Sequence, residues 1–222
     1  MTSRDLNGAV VAVIGASGGL GQAIVTSLAG RGAAVVRCNR SGGQGIDLTI
    51  DIRDARSGDL LVEHVNARHG RLDGVVIAAG IVAFGDLVDT DDVVIEELFL
   101  TNTMGPMWLA KRVAPALQVT QGFFVNVSGV VADTPMPGMA AYSASKAAAA
   151  AATEAIRREF RRTKVAVIDA RPPHTETGLA TRPLAGEAPK MPVGLEPAAV
   201  AERIVVAIEQ GESVVVAGDF GA

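Results

Sequence analysis

Tyr142 is the only tyrosine of the chain, and Lys146 follows it by four residues. On a helix, positions i and i+4 share a face, so the amine would lie one turn from the phenol. A free phenol has a pKa of about 10 and is a poor acid or base at neutral pH. A neighbouring ammonium stabilises the phenolate, so Lys146 is expected to lower the pKa of Tyr142 toward a useful range. The alternative is a helix with one buried aromatic. A second group is the turn Gly15-Ala-Ser-Gly-Gly19-Leu-Gly21. Glycines there let the chain turn tightly and let an anion approach the backbone. A helix opening at that point adds free N–H groups and a positive dipole end, which suits a pyrophosphate. The same residues also read as Gly-x-Ser-x-Gly, with Ser17 as a hydrolase nucleophile. That reading needs a histidine in reach, and the chain has only His64, His69 and His174.

These groups need a scaffold that brings distant residues to one edge. Residues 9–14, 33–37, 74–78, 123–127, 164–168 and 213–217 are short runs that are apolar at nearly every position. Such runs suit strands buried on both faces, whereas strict alternation would suit a half-exposed sheet. Residues 50–52 offer one more short strand. Between the runs lie helical stretches at 20–31, 59–69, 96–117, 143–161 and 197–210. Strand–helix alternation predicts a doubly wound α/β fold, an approximately seven-stranded parallel sheet with helices on both faces. The glycine turn then follows the first strand, and Tyr142 lies just beyond a buried one. Residues 178–194 are rich in proline and glycine and read as a mobile loop or lid.

Composition narrows the classes. The chain has 222 residues, 49% of them hydrophobic and 20% charged. This suits one domain over residues 1–222 with a sizeable core, and excludes a disordered chain. The net charge is −4, from 20 basic and 24 acidic residues, and no basic block occurs, so no nucleic-acid partner is expected. The single cysteine, Cys38, excludes an internal disulfide and a cysteine zinc cluster, and no metal site is expected. Apolar runs fall short of the roughly 20 residues that span a bilayer. The N-terminal run is too short for a signal sequence, so a soluble, cytoplasmic protein without a membrane partner is expected.

The glycine turn, Tyr142-Ser-Ala-Ser-Lys146 and their order along the strands resemble the short-chain dehydrogenase/reductase family of classical type, over nearly the whole chain. The resemblance implies a Rossmann-type fold and an oxidoreductase that interconverts a carbonyl and an alcohol by hydride transfer. It makes Tyr142 the proton donor or acceptor. Lys146 assists it and binds the nicotinamide ribose. The cofactor-binding turn maps to Gly15, Ser17, Gly19, Leu20 and Gly21. The small pair Ala79-Gly80 corresponds to the family's Asn-Asn-Ala-Gly, here Ile77-Ala78-Ala79-Gly80 without either asparagine, and leaves room for the adenosine ribose. Asp51-Ile52 matches the pair beside the adenine. Asn102 matches the asparagine that helps organise a proton-relay water. Pro172-Pro-His-Thr-Glu-Thr177 matches the loop beside the nicotinamide, with Pro173 in place of glycine. The helices around residues 102–117 and 147–152 would build a homodimer or homotetramer.

One departure concerns the serine that in this family stands thirteen positions before the tyrosine. In this chain that position is Gly129. Ser128 is adjacent, but neighbouring side chains on an extended strand face opposite ways. It can hold the substrate oxygen only if the strand has ended and its hydroxyl turns inward. For the cofactor, the second strand ends in Asn39 and Arg40. NAD-preferring relatives usually carry aspartate at the first of these, where its carboxylate repels a 2′-phosphate. Asn39 removes that repulsion and Arg40 offers a guanidinium, so NADP(H) is the preferred cofactor and NAD(H) the other possibility. Gly129 and the missing asparagines also motivate a second function, a nucleotide-binding sensor or partner protein of the same fold with weak or no catalysis.

Overall fold

A computed structural model describes residues 4–221 of the chain. Residues 1–3 and 222 of the span expected as one domain lie outside the described residues. Seven parallel strands form one sheet in the order β3-β2-β1-β4-β5-β6-β7. They are β1 (Val10–Ile14), β2 (Ala34–Asn39), β3 (Leu48–Thr49), β4 (Gly74–Ile77), β5 (Phe123–Val127), β6 (Ala166–Ala170) and β7 (Val214–Val215). The apolar runs appear as strands because the sheet is covered twice. Val11, Val13, Val76, Val125 and Ile168 point to the face packed by α1 (Gly19–Gly30) and α6 (Pro197–Gln210). Ala12, Ile14, Val75, Ile77, Phe124 and Val167 point to the other face. There α2 (Ser57–Arg68) and α4 (Gly105–Thr120) supply Leu61, Val65, Leu109, Val113 and Leu117. The strand order reverses between β1 and β4, and in such sheets the crevice for ligands opens at the carboxyl ends beside that point.

Three of the shifts in the expected boundaries have a local cause. The short strand is Leu48–Thr49, two residues ahead of 50–52, because the Asp51 carboxylate accepts from the Arg53 amide at 3.0 Å and turns the chain. The sixth strand begins at Ala166 because Lys164 adopts φ +60. The helix expected over 96–117 is three pieces: α3 (Asp92–Phe99), a π turn (Leu100–Met104) and α4. Pro106 stands at the start of α4, and the widened turn ahead of it places Asn102 against Ile81 and Thr103 against Ser145.

A third apolar cluster caps the carboxyl ends of the strands. Val82, Ala83 and Phe84 from the segment after β4 meet Val94, Leu98, Val131, Met139 and Tyr142. Leu179, Ala180 and Ala185 of the 178–194 loop pack against it. That loop holds no regular element, yet Leu184 N–H donates to Val82 O at 2.7 Å and Phe84 N–H to Ala185 O at 2.9 Å. At the opposite end of the sheet the buried Asp73 carboxylate accepts from Val10 N–H at 2.8 Å and from Arg71 at 2.6 and 2.8 Å. Asp73→Ala leaves the Val10 amide without a partner and is expected to lower the unfolding free energy by about 1–3 kcal/mol. Asp73→Asn keeps an acceptor and should lose less. Urea denaturation checks this, and equal midpoints for parent and Asp73→Ala would refute it.

Candidate active site

The crevice begins at the glycine turn. Gly15 has φ +86, and the N–H groups of Gly15 and Ala16 both donate to Cys38 O, at 2.9 and 3.0 Å. A Cβ on Gly15 would lie 2.7 Å from Ala79 N, so the ends of β1, β2 and β4 are drawn together only because residue 15 has no side chain. Helix α1 then starts at Gly19 with no side-chain cap and no acidic residue in its first turn. The N–H groups of Gly19, Leu20 and Gly21 precede the first intrahelical acceptors, so they and the positive helix end face the crevice unneutralised. A cradle of this kind fits the pyrophosphate of a dinucleotide. The Thr177 backbone closes its other side, 2.8 Å from where a Cβ on Gly19 would stand. Ser17 is exposed beside the turn. Its hydroxyl makes no hydrogen bond to a histidine among the described residues; His174 lies 3.3 Å from Glu176, and His64 and His69 lie at α2.

Across the crevice the structure gathers Gly80, Asn102, Lys146 and Tyr142. A Cβ on Gly80 would lie 3.3 Å from Asn102 Oδ1 and 3.4 Å from Lys146 Nζ. Asn102 is buried in the π turn. It accepts from Ile81 N–H at 3.0 Å and donates to Ile81 O at 2.9 Å and to Ser145 Oγ at 3.1 Å. Its amide therefore fixes the peptide after Gly80. Ser145 Oγ in turn donates to Tyr142 O at 2.8 Å, and Thr103 Oγ1 donates to Ser145 O at 2.8 Å. These bonds seat helix α5 (Ala140–Phe160) against the π turn. Tyr142, Lys146, Ala149, Ala150 and Thr153 form its buried face.

Burial, and not the neighbouring cation, governs the phenol. Tyr142 sits within the third apolar cluster, and loss of solvent pushes its pKa up from 10.0 to about 12. The expected lowering by Lys146 is absent. The amine donates to Val127 O at 2.9 Å, at the end of β5. Burial takes the Lys146 pKa down to about 8, with Asp169 acting in the opposite direction.

Ser128 is also corrected. It is 1% exposed, and its hydroxyl donates to Asp169 Oδ1 at 2.6 Å. Asp169 Oδ2 accepts from Arg171 Nε at 2.7 Å, and Arg171 also donates to Asp133. The hydroxyl is thus committed to β6 and is not free for a substrate oxygen. Gly129 has φ +95 and ψ 162, a region closed to residues with a side chain. A Cβ there would meet only Pro172 O, at 3.9 Å. The backbone, and not a lack of room, disfavours serine at this position. Pro172 O accepts from Val130 N–H at 3.0 Å, which joins the 172–177 loop to the end of β5. Sequence reasoning passed over Asp169 and Arg171. Their signal was two opposite charges at i and i+2 at the end of an otherwise apolar strand, a spacing that places both on one face of extended chain.

On the β2 side of the crevice, Asn39 is buried and its amide bonds Gly42 at 2.7 and 3.2 Å, closing a turn. Arg40 is exposed and close enough for its charge to act on Asp51. Hydrogen bonds from Arg53, above all, hold the Asp51 carboxyl below the usual range, and Arg53 also reaches Glu97 at 2.7 Å. Ile52 is buried, its carbonyl against Gly105 at the start of α4. Among the described residues no cluster of three or more His, Cys, Asp or Glu is spaced to hold a metal.

The family model for short chain dehydrogenase matches residues 9–187. The chain belongs to the short-chain dehydrogenase family. It is 32% identical over 206 residues to an uncharacterised oxidoreductase of Methylorubrum extorquens, covering 86% of this chain and 82% of that one. It is 31% identical to a short chain dehydrogenase of Pseudocercospora fijiensis, covering 79% of this chain and 62% of that protein, less than two thirds of its length. The fold superposes with TM-score 0.84 on a short chain dehydrogenase of Burkholderia cenocepacia crystallised with NADP. That protein is 25% identical, with 96% of this chain and 89% of that one covered. The chain is therefore an oxidoreductase by family, with a Rossmann-like sheet, and no helix among the described residues is long and apolar enough to cross a membrane.

Because the chain has one tyrosine, alkaline absorbance titration reads Tyr142 alone. The midpoint is expected near 12, above the ordinary 10.0. A folded value raised in this way makes native stability fall as pH climbs from 10.0 through about 12. A midpoint at or below 10.0 in the folded protein would instead show the ammonium in control.

Proposed function

We propose that this short-chain dehydrogenase interconverts a small-molecule carbonyl and its alcohol, with NADP(H) preferred over NAD(H). The observation that carries the reading is the convergence of an uncapped, glycine-lined helix start with Tyr142, Lys146 and Asn102 around one crevice. Gly15, Ser17, Gly19, Leu20 and Gly21 would hold the pyrophosphate. Ala79 and Gly80 leave space for the adenosine ribose, and Asp51 and Ile52 flank the adenine. Pro172 and Thr177 border the nicotinamide. When bound, the nicotinamide supplies or takes the hydride. In the reductive direction Tyr142 donates its proton to the substrate oxygen. Lys146, held by the Val127 carbonyl, stabilises the negative charge left on the phenol oxygen and holds the adjoining ribose. Asn102 supports the site by fixing the Ile81 peptide. The apolar surroundings of Tyr142 exclude water and keep the phenol protonated until a substrate oxygen is present to accept the proton.

Gly129 supplies no hydroxyl to the substrate oxygen, and Ser128 is bound to Asp169. Loss of one such donor lowers the rate by about 10²–10³. This favours a slow enzyme, and it equally motivates the second reading, a nucleotide-binding sensor of the same fold. The neutral Asn39 and the exposed Arg40 support the NADP(H) preference. Met104 and Met107, exposed at the head of α4, support assembly into a homodimer or homotetramer.

Tyr142→Phe, assayed with NADPH across a panel of carbonyl compounds, is expected to lose about 10²–10⁴ in turnover. Unchanged turnover sinks the mechanism. Tight cofactor binding with no turnover by the parent on any carbonyl or alcohol selects the sensor reading. NADPH should bind more tightly than NADH, and Arg40→Ala should narrow that difference; equal affinities in the parent protein would overturn the preference.

A further inference from the structure

Lys146 is 6% exposed, and its single hydrogen-bond acceptor among the described residues is the Val127 carbonyl. An ammonium so buried is costly unless a negative charge lies near. No carboxylate oxygen among the described residues lies within ion-pair distance of it, but one buried carboxylate stands next to its acceptor. Asp169 pairs across the sheet with Asn126, the residue before Val127, and accepts from the hydroxyl of Ser128, the residue after it. Ser128 N–H also donates to Ala170 O at 3.0 Å. The peptide whose carbonyl receives Lys146 is therefore held to β6 from both ends.

We propose that Asp169 is the positioning residue for Lys146: its charge keeps the buried amine as an ammonium, and its bond to Ser128 fixes the Val127 carbonyl that receives it. This rests on the reading of Lys146 as partner of the phenol. Four charges then alternate through this part of the protein: Lys146, Asp169, Arg171 and Asp133. Arg171 bonds Asp169 and Asp133 together, so it limits how strongly Asp169 acts on the lysine. α5 contributes Tyr142, the π turn contributes neutral Asn102, the residues after β5 contribute neutral Ser128 and charged Asp133, and β6 with the residue that follows it contributes Asp169 and Arg171. Burial weakens the hold of Lys146 on its proton, and the charge of Asp169 acts against that. Ser128, nominated from the sequence as a substrate donor, acts here at one remove from the chemistry, as the link between Asp169 and the carbonyl.

The test measures the lysine directly in the 222-residue chain without ligands. The chain has four lysines, Lys111, Lys146, Lys164 and Lys190, so carbon-13 labelling at lysine Cε gives four resolvable NMR titrations, with Lys146→Arg assigning the one of interest. The Lys146 midpoint is expected near 8 in the parent. Asp169→Asn keeps an acceptor for Ser128 and removes the charge, and should move the midpoint down by about one pH unit. Arg171→Gln removes the opposing charge and should move it up. Opposite shifts from two variants are a signature that a purely structural role does not produce. If Asp169→Asn does not fold, the upward shift in Arg171→Gln carries the test. A parent midpoint retained in every folded variant overturns the proposal. In activity, the alkaline limb of kcat/KM for carbonyl reduction should move in the same directions. A protein that turns over no carbonyl compound defeats the oxidoreductase mechanism and leaves the NMR outcome to stand or fall separately.

Discussion

A single hydrogen bond, from the Lys146 ammonium to the last carbonyl of β5, joins the parts of this protein that do chemistry to the parts that make it stable. It pins α5 to the carboxyl end of the sheet, beside the Asn102 amide that fixes the segment after β4. The bond is strong because it is charge-assisted and dry, and demanding for the same reason. It requires a negative charge nearby, and the β6 strand carries one in Asp169.

The same dryness sets the character of the phenol. Tyr142 is surrounded by valine, alanine, phenylalanine and methionine, and by the apolar half of the 178–194 loop. In that setting an ionised phenol is costly, so desolvation outweighs a cation whose bond is directed at the sheet. The phenol is an acid held in reserve, suited to protonating a developing alkoxide. This follows from packing, which holds the phenol in its protonated form.

Much of the architecture was legible in the chain because buried parallel strands and amphipathic helices leave different imprints. The glycine turn, the Tyr142–Lys146 spacing and the small Ala79–Gly80 pair were equally visible, since each depends on residues close in sequence. Ser128 was misread for a definite reason. Its neighbour across the sheet, Asp169, is 41 residues away, and no local pattern tells a serine whether a carboxylate awaits it. The helix expected over 96–117 failed similarly: the π turn at Leu100–Met104 exists to aim Asn102 at Ile81 and Thr103 at Ser145, partners supplied by other elements.

From its order of residues alone the chain determined a parallel sheet, a helix start open to an anion and a phenol one turn from an amine, because these arise from local sterics, periodicity and helix geometry. The folded arrangement decided which side chains were spent on one another. Ser128 went to Asp169, Asn102 to Ile81 and Lys146 to Val127, and the proton affinities of Tyr142 and Lys146 were set by exclusion of water. Such outcomes depend on distances between residues remote in sequence and on the dielectric that packing creates, and neither is written in any short stretch of the chain.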